Sequence, residues 1–136
     1  MKRVAVDANV FLRFLTRDDA GQHEAAERLL RAGSAGAVEL VCGPPVLFEV
    51  AWTLRRGYKT GRTETLDMIQ AILTLPGLRA SDADVAARAV EIARESGAEF
   101  ADAYILAGAE AAGADEVATF NVKDFRRMGA ALRPMR

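Results

Sequence analysis

Short apolar runs alternate along the chain with longer segments whose apolar positions recur every three or four residues. Residues 3–6, RVAV, read as a short buried strand that ends at Asp7. From Asn9 the pattern VFLRFL suits a helix, with Asn9 as its N-cap. RDDAGQHEAAERLLRAG predicts a second helix, with Ala25, Leu29 and Leu30 on one face and Gly33 as its stop. VELVCG, residues 38–43, predicts a second strand. Pro44 and Pro45 then open a helix that runs to Gly57, since proline is tolerated in a first helical turn. TETLDMIQAILTL is amphipathic and closed by Pro76-Gly77, SDADVAARAVEIARESG runs from a Ser/Asp cap to Gly97, and FADAYILAGAEAAG predicts the next helix. EVAT, residues 116–119, reads as a strand, NVKDF as a loop, and a last short strand falls near Leu132. Strands thus alternate with helices, which predicts an α/β fold with a parallel sheet and helices on both faces. The length suits one domain over residues 1–136. In such sheets ligands gather at the carboxyl ends of strands, where Asp7 and the stretch from Asn121 to Asp124 fall.

Composition narrows the classes. Apolar residues make up 51% of the chain and the net charge is −1. No apolar run approaches ~18 residues, so no membrane-spanning helix is expected. The N-terminal apolar stretch is interrupted by Asp7 and lacks a small-residue cleavage site, so no signal peptide is expected either. Cys42 is alone, which excludes an internal disulfide and suits a reducing cytoplasm. His23 is also alone, so one chain lacks the ligands for a Cys/His zinc site. With almost no net charge, any nucleic-acid binding must use a local basic patch.

Three acids stand out against apolar surroundings. Asp7 follows an apolar strand, and by itself is a turn or cap residue. Glu49 lies in PVLFEVAW, and by itself is a helix former facing water. Asp102 falls in the first turn of FADAYILA, where the helix dipole favours a negative charge. Together they sit at strand ends and helix starts that could converge on one sheet edge. Unpaired there, they would repel and their pKa values would rise. A divalent cation resolves that conflict, and oxygen ligands point to Mg²⁺ or Mn²⁺. Apolar stripes such as Val46, Leu47, Val50 and Leu54, or Leu66, Ile69, Ile72 and Leu73, are expected to be core; Trp52 is either core or interface.

VAVDANVFLRFL, PVLFEVAWTLRR, FADAYILA and ATFNVKDF, in this order and spacing, resemble the PIN-domain nucleases, and more closely the VapC-type toxins of prokaryotic toxin–antitoxin pairs. The resemblance runs essentially end to end. It implies a PIN-like α/β/α sandwich with a short parallel sheet flanked by helices, and Mg²⁺- or Mn²⁺-dependent endonucleolytic hydrolysis of RNA. Asp7, Glu49 and Asp102 match the family's metal-binding acids, and Asn9 matches a polar residue that supports the site. Asp7 and Asp102 would hold the metal. Glu49 would hold it through water, orient the attacking water or hold a second ion. At the fourth acidic position either Asn121 or Asp124 faces the metal, and Thr119 resembles a hydroxyl position near the site. The resemblance further implies a cognate antitoxin, a homodimer and a cytoplasmic location.

Positive charge for RNA is available in TLRRGYKTGR, with Arg55, Arg56, Lys59 and Arg62, and in Arg13 and Arg17 of the first helix. Tyr58 can stack on a base. Three rival readings remain: a PIN nuclease of RNA processing or decay that is not a toxin, an inactive PIN-like binding module, and a haloacid-dehalogenase-type phosphatase. The last needs a second aspartate where Asn9 stands.

Overall fold

The first strand, β1 (Arg3–Ala5), stops just short of Asp7, whose backbone is extended and whose side chain caps the helix α1 (Ala8–Thr16). The cap therefore falls on Asp7 and not on Asn9: its Oδ1 accepts the Ala8 N–H at 2.7 Å. The structure, a computed structural model, describes residues 1–135. They divide into two compact units, the first spanning Met1–Ala83 and the second starting at Asp84.

In the first unit, α1 is followed by α2 (Ala20–Ser34), β2 (Glu39–Cys42), α3 (Pro44–Arg56), α4 (Arg62–Leu73) and β3 (Leu78–Ala80). The three strands pair in parallel in the order β1-β2-β3, with Val4 opposite Leu40 and Leu40 opposite Leu78. Crossovers between parallel strands are right-handed, and two that advance in the same direction put their helices on one face. Accordingly α1 packs against both α2 and α3, and α3 against α4. Phe11, Leu40, Leu47, Val50, Leu54, Leu66, Ile69 and Ile72 are enclosed here, as the helical spacing predicts, each worth about 2 kcal/mol of burial. Trp52 is not part of this core; it is 65% exposed.

Two elements of this unit depart from the expected pattern. Gly33 does not stop α2, which runs on to Ser34. Gly33 is instead a contact residue: a Cβ there would run into the Leu40 side chain, and one on Gly77 would run into the Gly33 backbone. Gly77 also has φ +82°, a conformation that glycine adopts without steric cost. The pair lets α2 approach the turn that leads into β3. β3 itself is not visible as a run in Leu78-Arg79-Ala80, and it exists because β2 offers a parallel edge.

The second unit contains α5 (Ala83–Ser96, its first residue at the boundary), α6 (Phe100–Ala111) and α7 (Val122–Arg127). Its buried residues include Ala86, Ala89, Ala93, Phe100, Ala103 and Phe125. The predicted strands at 116–119 and near Leu132 reduce to one parallel bridge, Val117 with Leu132. NVKDF is not a loop: it forms most of α7, with buried Phe125 anchoring the short helix. Among the described residues no helix is long and apolar enough to cross a membrane.

Candidate active site

Asp7 and Glu49 both leave the carboxyl edge of the first unit's sheet. Asp7 lies two residues beyond β1. Glu49 lies in the second turn of α3, which starts two residues after β2 through Gly43 and Pro44. The Glu49 carboxylate is exposed, with no hydrogen bond or ion pair among the described residues, and Asn9 is exposed on α1. One Asp7 oxygen is already engaged by the helix start.

The basic candidates of this unit are not equally available. Arg13 is held by three partners: its Nε donates to Gln22 Oε1 at 2.6 Å, and its Nη1 donates to Asp18 Oδ1 at 3.1 Å and to the Tyr58 hydroxyl at 3.2 Å. Tyr58 in turn donates to Asp18 Oδ2 at 2.6 Å. The Tyr58 hydroxyl, then the Thr16 hydroxyl, hold the Asp18 carboxyl below the usual carboxylate range, and Arg13 adds to this. Arg13 and Tyr58 therefore belong first to a structural cluster, and Asp18 is the partner that sequence reasoning missed. Its only signal is its place in the acidic pair after Arg17. Arg55 donates to the Thr60 carbonyl at 3.0 Å and closes the loop after α3. Arg62 is half-buried at the start of α4. Arg17, Arg56 and Lys59 are exposed and without an ion pair among the described residues.

The second unit holds the other acids. Asp102 stands in the first turn of α6, whose buried Phe100, Ala103, Leu106 and Ala107 fix the direction of the helix. Its carboxylate is half-buried and has no hydrogen-bond partner among the described residues. Burial pushes the Asp102 carboxyl above its ordinary range, and the neighbouring charges of Asp124 and Glu99 push it further. Asp124 is thus the acid brought next to Asp102. Asn121 Nδ2 donates to Asp124 Oδ2 at 2.9 Å, and Arg127 donates to Asp124 Oδ1 at 3.4 Å. Thr119 Oγ1 accepts the Asn121 N–H at 2.9 Å, so its hydroxyl shapes the turn and bonds no acid among the described residues.

Crowded carboxylates with oxygen donors alone suit a hard divalent cation. Among the described residues, no group of three or more His, Cys, Asp or Glu side chains is placed to hold a metal ion. Mg²⁺ asks for less: one or two carboxylates and several waters. Asp102 and Asp124 are the two candidate acids that the structure brings near each other.

The PIN domain family model matches residues 4–131, from β1 past α7. The short parallel sheet and the seven helices among the described residues are those of a PIN-like α/β/α fold. No curated protein matches the chain.

Proposed function

The chain belongs to the PIN domain family, and from that premise we propose that it is a Mg²⁺- or Mn²⁺-dependent endoribonuclease, the toxin of a type II toxin–antitoxin pair. PIN domains are in general metal-dependent nucleases, and PIN nucleases act on RNA. The observation that carries the reading is Asp102: a half-buried carboxylate, without a hydrogen bond among the described residues and beside two other acids, has its ionised form disfavoured, and a bound cation would relieve this.

Asp102 and Asp124 would hold an ion, and Asp7 is proposed as a metal-binding acid on its match to the family motif alone. When bound, the ion would stabilise the charge that develops on the scissile phosphate. Glu49, unpaired and exposed, would hold and orient the attacking water. Asn121 fixes the Asp124 carboxylate, Thr119 fixes the Asn121 turn, and Asn9 offers a polar group near Asp7. Arg17, Arg56 and Lys59 would draw in the RNA backbone, and Arg13, Arg55 and Arg62 are the further basic candidates. A cognate antitoxin, a homodimer and a cytoplasmic location complete the proposal.

The test uses Asp7→Asn, Glu49→Gln and Asp102→Asn proteins, each checked for folding. RNA cleavage should need Mg²⁺ or Mn²⁺, stop with a chelator, and fall about a hundredfold or more in each variant. Parent-like cleavage by all three would defeat the assignment. For the toxin role, brief expression of the parent should arrest growth and Asp7→Asn should not. Cleavage without arrest would favour a PIN nuclease of RNA processing instead.

A further inference from the structure

Phe120 is 86% exposed, and its ring contributes to no core. It directly precedes Asn121, the residue that holds Asp124. An open groove of about 340 Å³ lies alongside it, lined by Thr119, Phe120, Val122, Arg126, Pro134 and Met135 among others. Val122 and Met135 are also exposed apolar side chains. Arg126 is exposed, with no ion pair or hydrogen bond to its guanidinium among the described residues.

We propose that this groove is a subsite for one unpaired base of a single-stranded RNA, with Phe120 as the stacking surface and Arg126 as the contact to the adjoining phosphate. The proposal rests on the ribonuclease reading and adds to it where a base beside the acids is held. The groove supplies what a splayed nucleotide presents: an apolar face for the ring and an unpaired cation for the phosphate. A docking protein would call for a broader continuous apolar patch. Here the lining includes two arginines, Arg126 and Arg133, the latter paired with Glu116 at 3.2 Å. Because Phe120 is joined through Asn121 to Asp124, a base stacked on it would fix the register of the strand. Phe120 is therefore a positioning residue, read in KM and in base preference.

The experiment measures cleavage and anisotropy with fluorescein-labelled single-stranded RNA oligonucleotides on the full chain. Phe120→Ala should raise KM roughly tenfold with little change in kcat, and broaden base preference at one position flanking the cut. Phe120→Trp should restore both. Arg126→Ala should lower the salt slope of binding by about 0.7. If the parent cleaves RNA and Phe120→Ala keeps its KM and its base preference, the subsite is wrong while the nuclease reading stands. If Phe120→Ala changes the oligomeric mass and leaves KM alone, the groove is a protein contact and the proposal falls. If the parent neither binds nor cleaves the oligonucleotides, both readings fall together.

Discussion

In the first unit, the acids at the starts of α1 and α2 have partners. Asp7 accepts the Ala8 N–H, Asp19 accepts the Gln22 N–H at 3.0 Å, and Asp18 takes the Tyr58 hydroxyl and Arg13. In the second unit, Asp102 also stands at a helix start, yet among the described residues no donor reaches its carboxylate, and two further acids lie near it. The backbone differs in the same sense. Gly77 of the first unit turns with φ +82° against the Gly33 backbone, whereas Gly113 of the second turns with φ +76° in open space. A carboxylate at a helix start is therefore no functional sign by itself. The sign is a carboxylate that the fold leaves without a donor and crowds with like charge.

The backbone half of this comparison gives the largest expected effect. Gly77→Ala places a Cβ against the Gly33 backbone and forces alanine into a left-handed conformation, so it should cost about 3 kcal/mol or more. Gly113→Ala meets only the conformational cost, about 1 kcal/mol. Urea denaturation of both variants checks the ratio. Equal losses would mean that the close approach of α2 to the turn before β3 contributes nothing.

These contacts also mark what the sequence could reveal. β1, β2 and α1 to α6 are legible because their apolar residues repeat with the period of the element. β3 is not, since Leu78-Arg79-Ala80 becomes a strand only through β2. Val122–Arg127 reads as polar loop because its single anchor, Phe125, acts through burial and not through a repeat. EVAT has strand composition but finds only the Leu132 bridge. At the site, the acids are legible from their odd chemistry. Their neighbours are not: Tyr58 reaches Asp18 across 40 residues, and no local spacing encodes that pair or the approach of Asp124 to Asp102.

Asp7 allows the structural and chemical uses of one carboxylate to be separated. Asp7→Ala loses the cap of α1 and should cost about 1 kcal/mol. Asp7→Asn keeps a capping oxygen and should stay close to the parent in stability, while losing the charge that the proposed ion needs. Thermal unfolding set beside RNA cleavage resolves the two. An Asn variant as unstable as the Ala variant would show that the cap depends on charge.

Asp102 carries the smallest but most diagnostic effect. Its carboxyl in the folded chain lies above the ordinary value, so the folded state keeps a proton that the unfolded state has released. Stability from this source is full below the ordinary carboxylate range and is lost as pH rises through the raised value. In chelator, the parent should therefore weaken over that window, with Asp124 and Glu99 as the repelling partners and Arg127 of α7 partly offsetting Asp124. Asp102→Asn removes the slope: it should match the parent at the acid end and exceed it at neutral pH. Added Mg²⁺ should then stabilise the parent more than the variant, because only the parent keeps the full donor pair. Urea midpoints against pH, with and without Mg²⁺, read both effects. Parallel profiles for the two proteins would mean that Asp102 is as well accommodated as Asp7, and the contrast between the two units would disappear.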